Sequence, residues 1–167
     1  MFNYHLSSPL GVLEITGTET ALCSVMFGGA RHKPAPGRMA DSGDMPLAVQ
    51  ETIRQLSEYF AGIRQEFDLP LHPEGTDFRK SVWELLVEIP YSQCISYLEL
   101  AKRTGDVKRA RAVGLANGAN PISIIIPCHR VIGSDGKLVG YGGDLWRKEW
   151  LLKHELENGP VPQGRLF

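Results

Sequence analysis

The hydrophobic pattern of this chain changes near His72-Pro73-Glu74-Gly75, and this change constrains the fold more than any other feature. Before it, short apolar runs are separated by turn-forming residues, which is typical of β-strands. After it, apolar residues recur at every third or fourth position, which is typical of helices that pack on a core. We therefore predict an α+β protein with two domains, residues 1–75 and residues 76–167. The first is a small β-sheet with a helix, and the second is mostly helical.

Strands come first in the N-terminal domain. The sequence predicts a β-hairpin around the turn Ser8-Pro9-Leu10-Gly11, a third strand, and then a loop over Gly28–Pro46. A helix ended by Gly62 follows, and alternating apolar residues indicate one more short strand. The predicted elements are strands Asn3–Ser7, Val12–Thr16 and Ala21–Phe27, helix Leu47–Ala61 with an inner face of Val49, Ile53, Leu56 and Phe60, and a strand with Phe67, Leu69 and Leu71.

Helices dominate the C-terminal domain. Thr76 is a predicted N-cap for a helix that Pro90 closes. Ser96 and Glu99 have the spacing of a capping box, which starts a short helix broken at Thr104-Gly105-Asp106. A second helix follows at once, so the pair predicts a helix-turn-helix. The remaining predictions are an inner face of Phe78, Val82, Leu86 and Ile89, a second helix Val107–Gly118, a buried strand or extended segment Ile122–Ile126, a loop Gly133–Gly143 and a last helix from about Asp144 to Glu157.

The net charge of −1 conceals an uneven distribution of charge. Residues 1–75 hold five Lys or Arg against nine Asp or Glu, whereas residues 76–167 hold thirteen against ten. Between Tyr97 and Arg130, six basic residues accompany two acidic ones. A polyanion would therefore bind the C-terminal part, although a solvated helix face would carry the same charges.

The sequence favours a cytoplasmic protein without a membrane partner. No apolar run approaches the ~18 residues that span a bilayer. The N-terminus lacks the basic start and apolar stretch of a secretory signal. Three widely spaced cysteines fit neither a disulfide framework nor a zinc pattern, and a reducing compartment would keep their thiols free. We expect no metal and no cofactor.

Cys128 is the cysteine with a reactive setting. A buried cysteine is usually an inert small hydrophobe, and we assign Cys23 and Cys94 to packing because neither has a charged neighbour in sequence. Cys128 instead follows a proline that ends an apolar run, and it precedes His129 and Arg130. A histidine can take the thiol proton, and an arginine favours the thiolate. We therefore predict that Cys128 is a nucleophile.

The predicted second helix of the helix-turn-helix is rich in Ala and Gly. A glycine costs ~1 kcal/mol against alanine inside a helix, so Gly114 and Gly118 need a reason. Close approach of another backbone is the usual one. With Arg109 and Arg111 at its edge, the helix would suit a narrow groove bordered by phosphates. Tight packing against another helix explains the small residues equally well.

Several short motifs occur together in the C-terminal part. Pro127-Cys128-His129-Arg130-Val131 has Asn120-Pro121 before it and Tyr141-Gly142-Gly143 after it. The other motifs are, in order, Phe78–Trp83, Ile95-Ser96-Tyr97, Arg111-Ala112-Val113-Gly114, Lys148-Glu149-Trp150-Leu151-Leu152 and His154-Glu155. Together, these motifs resemble the O6-alkylguanine-DNA alkyltransferases, or methylated-DNA–protein-cysteine methyltransferases. The N-terminal part matches only in its plan of strands and then a helix, which in this family is an RNase H-like domain.

The resemblance implies irreversible, stoichiometric transfer of an alkyl group from O6-alkylguanine in DNA to Cys128, with O4-alkylthymine as a further substrate. It implies that a monomer binds double-stranded DNA through the minor groove, with cooperativity left open. Arg111 would enter the duplex where the damaged base is flipped out. By resemblance, the pocket for that base is Tyr97, Val131, Tyr141 and Gly142, and the DNA-binding residues are Arg109, Arg111, Ala112, Gly114 and Arg130.

The resemblance also implies roles for the catalytic residues. His129 would deprotonate Cys128 through a water molecule, and Glu155 would orient the imidazole. The Tyr97 hydroxyl would donate a proton to a ring nitrogen of the departing guanine. Asn120 would tie the helix-turn-helix to the active-site turn. One departure is Asp144: where the family usually reads Tyr-x-Gly-Gly-Leu, this chain has Tyr141-Gly142-Gly143-Asp144-Leu145, and we expect Asp144 to serve as an N-cap.

Three other functions fit parts of the pattern. A non-catalytic reader of alkylated bases would share the fold, but the presence of Cys128 argues against it. A cysteine hydrolase could use Cys128, His129 and Glu155, and would turn over many times. A helix-turn-helix transcription factor would need long polar side chains to read base edges, and the Ala/Gly-rich helix offers few.

Overall fold

In the computed structural model, the chain forms two compact units. One unit is Met1–Glu74 with Pro121–Ser123, and the other is Gly75–Asn120 with Ile124–Phe167. The structure describes residues 1–28, 43–141 and 144–160, and the backbone alone of residues 38–39. Residues 121–123 belong to the first unit because they pair with Val25, whose N–H donates to Pro121 O at 2.9 Å and whose carbonyl accepts from Ser123 N at 3.0 Å.

The first unit is built on a four-stranded sheet in the order β3-β2-β1-β4. Strands β1 (Phe2–Ser8), β2 (Gly11–Gly17) and β3 (Leu22–Phe27) are antiparallel, and β4 (Arg38–Met39) runs parallel to β1. The predicted hairpin and third strand are therefore confirmed. Gly11 begins β2 at a φ of 95°, a left-handed conformation that glycine adopts at little cost.

Helix α1 (Leu47–Phe60) packs on this sheet, but its inner face differs from the prediction. Val49 and Leu56 are fully buried as expected, whereas Ile53 and Phe60 are only partly buried. Polar and aromatic side chains complete the face, which consists of Ala48, Val49, Thr52, Gln55, Leu56 and Tyr59. The hydrophobic pattern did not predict that Thr52 is buried, because threonine carries a polar hydroxyl. That hydroxyl is satisfied inside the protein by donating to Ala48 O, one turn back, at 2.7 Å.

The predicted strand with Phe67, Leu69 and Leu71 is wrong. This segment is irregular, with a single bridge between Leu71 and Leu22. Gln55 holds it to α1 instead, because its amide exchanges hydrogen bonds of 3.0 and 2.9 Å with the backbone of Asp68. A side chain thus replaces the strand ladder as the partner of this backbone.

The second unit is mostly helical, so the α+β prediction is confirmed. Its elements are α2 (Asp77–Val87), β5 (Ile95–Ser96), α3 (Tyr97–Arg103), α4 (Ala110–Gly118), β6 (Val131–Ile132) and α5 (Leu145–Asn158). Thr76 caps α2 as predicted, accepting from Arg79 N at 3.2 Å. Buried Trp83 joins α2 to α4 by donating its indole N–H to Ala116 O at 2.8 Å.

The predicted helix-turn-helix is present as α3 and α4. Ser96 caps α3 by accepting from Glu99 N at 3.0 Å. Gly105 turns the chain at a φ of 99°, and Asp106 accepts from Lys108 N at 2.9 Å. The second helix begins with a 3-10 turn, Val107–Arg109, before α4 proper. Strand β5, just before α3, and strand β6, after α4, form a short parallel pair that was not predicted.

Ile122–Ile126 is buried as predicted, but it is not a strand. Only Ile122 pairs, through a bridge to Val25, and the next residues form turns in which Ile124 has a φ of 73°. Asp144 also departs from the prediction. It precedes α5 at a φ of 71°, and its carboxylate accepts from Arg147 at 3.3 Å instead of capping a backbone N–H.

Candidate active site

Cys128 begins a buried 3-10 turn, Cys128–Arg130, and is only 5% exposed. Two amides hold this turn: Asn120 Nδ2 donates to Ile126 O at 2.8 Å, and Asn117 Nδ2 donates to Cys128 O at 3.3 Å. The predicted link through Asn120 is therefore present. Burial raises the pKa of the Cys128 thiol, and a hydrogen bond with Asn120 and the charge of Lys148 offset this only in part. The resting sulfur is a thiol that needs a base.

His129 belongs to a buried network centred on Glu155. The His129 Nε2 atom lies 2.7 Å from Glu155 Oε1, and both side chains are fully buried. Arg130 binds the same carboxylate through two nitrogens, Nε to Oε2 and Nη2 to Oε1, each at 2.9 Å. Ser92 N adds a hydrogen bond of 3.3 Å to Oε2. Glu155, on α5, thus fixes the plane and the position of the imidazole.

The network determines which group is charged. Burial raises the pKa of Glu155, but His129 and Arg130 outweigh it and hold that pKa far below its usual range. Burial lowers the pKa of His129, against the opposing effect of the Glu155 carboxylate. Glu155 is therefore ionised and His129 is neutral near neutral pH. Because Nε2 faces the carboxylate, Nδ1 is the nitrogen that can accept a proton, and it has no hydrogen-bond partner among the described residues.

The prediction that Arg130 binds DNA is wrong. Its side chain is 7% exposed, and it donates to Ile89 O at 2.6 Å as well as to Glu155. It also lies 5.6 Å from the centre of the Tyr91 ring. A buried carboxylate needs a buried cation, and Arg130 supplies it. The sequence motif alone does not reveal whether such an arginine points inward or outward.

Three of the four predicted pocket residues lie close to this turn. The pKa values of Tyr97 and Tyr141 are raised, first by burial and then by the negative charge that Cys128 would carry. The Tyr97 hydroxyl donates to Val139 O at 3.0 Å. Val131 follows the turn directly and is fully buried. Gly142, the fourth, lies outside the described residues.

Lys148 is a buried residue for which no role was predicted from the sequence. Its ammonium donates to three backbone carbonyls: Val131 O at 2.6 Å, Val139 O at 3.1 Å and Gly140 O at 3.2 Å. It also lies 5.7 Å from the centre of the Tyr97 ring. Lys148 therefore joins β6 to the loop that carries the Tyr97 partner.

The sequence does contain a pattern that could have predicted the burial of Lys148. It stands three, four and seven residues before Leu151, Leu152 and Glu155, which is the spacing of one helix face, and all four are buried. Burial lowers the pKa of Lys148 to about 8, although nearby Cys128 has the opposite effect. The inner face of α5 thus carries both the carboxylate that orients His129 and the cation that holds the loop.

The exposed face of α4 is separate from this interior. Arg111 and Ala112 are exposed there, beside Leu115, which is 67% exposed. The Arg111 guanidinium makes no ion pair or hydrogen bond in the part of the chain that the structure describes. A Cβ at Gly114 would lie 3.9 Å from the Tyr97 ring, which is an ordinary van der Waals distance. Packing inside the protein therefore does not require glycine at this position.

Arg109 is also exposed, and its guanidinium lies 5.9 Å from the centre of the Phe78 ring. Among the described residues, no three His, Cys, Asp or Glu side chains come together as metal ligands would. No helix in those residues is both long and apolar enough to cross a membrane.

Two family models match the chain. The 6-O-methylguanine DNA methyltransferase ribonuclease-like domain matches residues 2–73, and the DNA binding domain of the same family matches residues 77–157. A methylated-DNA–protein-cysteine methyltransferase of Methanosarcina barkeri is 49% identical over 92% of this chain and 96% of its own length. The protein of that name from Mycobacterium bovis is 44% identical, over 96% of each chain.

A solved structure agrees with these matches. The crystal structure of Mycobacterium tuberculosis OGT in complex with DNA is 42% identical, covers 96% of each chain and superimposes with a TM-score of 0.86. Both parts of the chain are thus matched, in sequence and in fold. The chain belongs to the 6-O-methylguanine DNA methyltransferase family.

Proposed function

We propose that this protein repairs O6-alkylguanine in DNA by transferring the alkyl group to Cys128, once per molecule. The observation that carries this proposal is the buried network at the thiol. Cys128 is followed by a neutral imidazole that Glu155 holds at 2.7 Å, with Nδ1 left to accept a proton. A thiol whose pKa is raised by burial cannot react without such a base.

The reaction needs one bond to form and one to break. The thiol proton moves to His129 Nδ1, directly or through water, and Glu155 stabilises the imidazolium. The sulfur then attacks the alkyl carbon, forming the C–S bond while the bond between that carbon and O6 breaks. The electron pair of the broken bond stays on guanine, which gains a proton at a ring nitrogen. Tyr97 is the proposed donor of that proton, and solvent exchange restores it from the imidazolium.

The product explains why each molecule acts once. Water does not displace the cysteine sulfur from the alkyl carbon of a thioether under physiological conditions, so Cys128 stays alkylated. A cysteine hydrolase would instead pass through a thioester that water can attack. We propose O4-alkylthymine as a second substrate, because attack on its alkyl carbon needs the same groups. A reducing cytoplasm is the proposed compartment, since it keeps the thiol free.

DNA would bind to the exposed face of α4. Arg111 is free to reach into a duplex, while Ala112 is small enough to let the helix approach a minor groove closely. Extrusion of a base costs a few kcal/mol and is cheaper for a mispaired, alkylated base. We propose that Arg111 occupies the space that the flipped base leaves, and that Arg109 contacts a neighbouring phosphate. A monomer presents all of these groups.

Intact mass measurement tests the proposal. The protein is incubated with excess duplex DNA containing O6-methylguanine, and its mass is expected to rise by one methyl group that replaces one hydrogen. Peptide mapping should place that methyl on Cys128. Tight binding without any mass change would favour a non-catalytic reader of alkylated bases. Loss of the methyl group from DNA in many-fold excess over protein would favour a hydrolase.

A further inference from the structure

Tyr91 is a buried residue for which the mechanism above has no use. It is 8% exposed and lies in the segment of residues 89–92, between α2 and β5. Its ring faces the Arg130 guanidinium, whose central carbon is 5.6 Å from the ring centre. Arg130 in turn binds Glu155, the carboxylate that orients His129. Tyr91 is therefore placed to act on the base through the arginine.

The segment of residues 89–92 holds both members of the buried ion pair. Ile89 O accepts a hydrogen bond of 2.6 Å from Arg130 Nη1, and Ser92 N donates one of 3.3 Å to Glu155 Oε2. The backbone of Ser92 has a φ of 62°, a left-handed conformation that residues other than glycine rarely adopt. Such a conformation persists only where surrounding contacts hold it, and here it accompanies an amide N–H that is aimed at the carboxylate.

Arg130 is held along its edges and on one face. Nε and Nη2 donate to Glu155, Nη1 donates to Ile89 O, and the Tyr91 ring covers a face of the guanidinium. The face of an aromatic ring attracts a cation, and the attraction is greater where water is excluded. The hydrogen bonds fix the guanidinium mainly in its own plane. The ring is therefore the contact that opposes movement out of that plane.

Tyr91 itself stays uncharged while this network works. Burial raises the pKa of its hydroxyl to about 12, and the Glu155 carboxylate adds to the rise. The ring is therefore a neutral surface over the cation throughout the neutral and acidic range. A pH dependence that changes with Tyr91 must come from another group.

The position of Arg130 matters because it shares a carboxylate oxygen with the base. Glu155 Oε1 lies 2.7 Å from His129 Nε2 and 2.9 Å from Arg130 Nη2. Both donors compete for the charge of this oxygen, so a well-placed arginine weakens the stabilisation of an imidazolium. Burial lowers the pKa of His129, the carboxylate raises it, and the charges of Arg130 and Lys148 lower it further. An arginine that moves away would leave His129 as the main partner of that oxygen, and its pKa would rise.

We propose that Tyr91 is a positioning residue, whose ring holds Arg130 against the shared carboxylate oxygen and so keeps His129 a neutral proton acceptor. This inference rests on the proposed function, because it concerns the base that transfer to Cys128 requires. It assigns the role to the ring and not to the hydroxyl. Without the ring, His129 should take up its proton at a higher pH, so acid should begin to slow the transfer at a higher pH.

The test compares the wild type with Tyr91→Phe, which keeps the ring, and Tyr91→Leu, which removes it. Methyl transfer from duplex DNA containing O6-methylguanine is measured in single-turnover reactions from about pH 5 to about pH 8, the range in which a histidine titrates. We expect Tyr91→Phe to follow the wild type. The acidic limb of Tyr91→Leu should move up by about 0.5–1 pH unit, so that its rate on that limb is about three to ten times lower than that of the wild type.

The shape of the profile separates positioning from a general structural role. A loss by the same factor at every pH would overturn the inference, because it would leave the base unaffected. Equal shifts in the two variants would also overturn it, since they would assign the role to the hydroxyl. If Tyr91→Leu does not fold, Tyr91→Met removes the ring with a flexible side chain that fills irregular space.

Two further arms complete the design. Tyr4→Leu removes a partly buried tyrosine from β1, in the first unit, and should leave the acidic limb unchanged. The titration of His129 is also followed by NMR in the protein without DNA, where the same upward shift is expected in Tyr91→Leu. Failure of the wild type to transfer any methyl group would refute the proposed function itself. Transfer with the same His129 titration in wild type and Tyr91→Leu would refute only the role of Tyr91.

Discussion

The Cys128 turn and the exposed face of α4 use positive charge in opposite ways. Arg130 and Lys148 are buried, and fixed protein oxygens take up their donors. Arg111 is exposed and makes no ion pair within the described residues. A buried cation bound to a carboxylate or carbonyls positions a reacting group, whereas an exposed one is available to phosphates and grooves. If α4 binds DNA as proposed, the second unit separates the chemistry from DNA binding, and each should be removable without the other.

Removal of the acceptor sulfur is the strongest test of that separation. Cys128→Ala should abolish methyl transfer completely, because no other group can take the alkyl carbon. The exposed face of α4 is untouched, so affinity for methylated duplex DNA should stay within about twofold of wild type. Stopped-flow or filter binding gives the affinity, and intact mass gives the transfer. Cys94→Ala is the matched control and should react like wild type. Any residual transfer by the Cys128 variant would contradict the assignment.

Glu155→Gln tests whether the interior works as one network. Gln cannot stabilise an imidazolium, so the transfer rate should fall by about 10²–10⁴-fold. The same change leaves Arg130 without its counter-ion in the interior, which should lower the free energy of unfolding by roughly 3–5 kcal/mol. Single-turnover kinetics and urea unfolding measure the two effects.

Glu149→Gln is the control on the same helix. Glu149 is half exposed and pairs with Lys153 at 3.0 Å, so both its kinetic and its stability effects should be small. Equal losses of stability in the two variants would mean that the Glu155 network is no tighter than a surface ion pair.

Arg111→Ala tests the other region. Repair of duplex DNA should slow by about 10–100-fold, because the flipped base is no longer replaced in the stack. Reaction with free O6-methylguanine needs no flipping and should change by less than about twofold. If Arg111 also neutralises a phosphate, the affinity of the variant for duplex DNA should fall less steeply with salt than that of the wild type. The slope of log affinity against log salt concentration should be smaller in magnitude by about one.

The control is Arg54→Ala, which breaks exposed pairs with Glu51 and Glu58 in the first unit. It should leave both reactions and the salt slope unchanged. Equal losses on duplex and free base in Arg111→Ala would show that this residue acts on the chemistry, against the separation of the two regions.

Some features of the fold and of the candidate site could be predicted from the sequence, and others could not. Cys128, His129 and Glu155 could be predicted because a family motif fixes them in order, and the structure brings His129 and Glu155 to 2.7 Å. The capped helices and the hairpin could be predicted from local patterns, as Thr76 and Ser96 show. The caps and the hairpin depend on residues that are neighbours in the chain, whereas the pairing of His129 with Glu155, 26 residues apart, was expected only from the family resemblance.

Features that depend on distant partners could not be predicted. Arg130 turns inward because Glu155, 25 residues later, is buried beside it. Ile122–Ile126 has the composition of a strand, yet Asn120 draws Ile126 into the active-site turn. Gln55 replaces a strand pairing that alternation alone suggested. In each case a side-chain hydrogen bond over a long or unusual separation decides the backbone path, and such bonds leave no period in the sequence.

The smallest expected effect concerns Lys148, a buried cation that donates to three backbone carbonyls and not to a carboxylate. Its pKa falls from 10.5 to about 8 in the folded protein, chiefly through burial. Between pH 8 and pH 10 the unfolded chain therefore binds a proton that the native protein lacks, so the contribution of Lys148 to stability rises with pH. Relative to Lys148→Met, the wild type should gain on the order of 1–3 kcal/mol across this range in urea unfolding. Lys153→Met, on the exposed side of the same helix, should show no such gain, since Lys153 is 58% exposed. A difference between wild type and Lys148→Met that stays constant with pH would mean that Lys148 keeps its full charge among the carbonyls, and that the interior tolerates a cation as readily as the surface of α4 does.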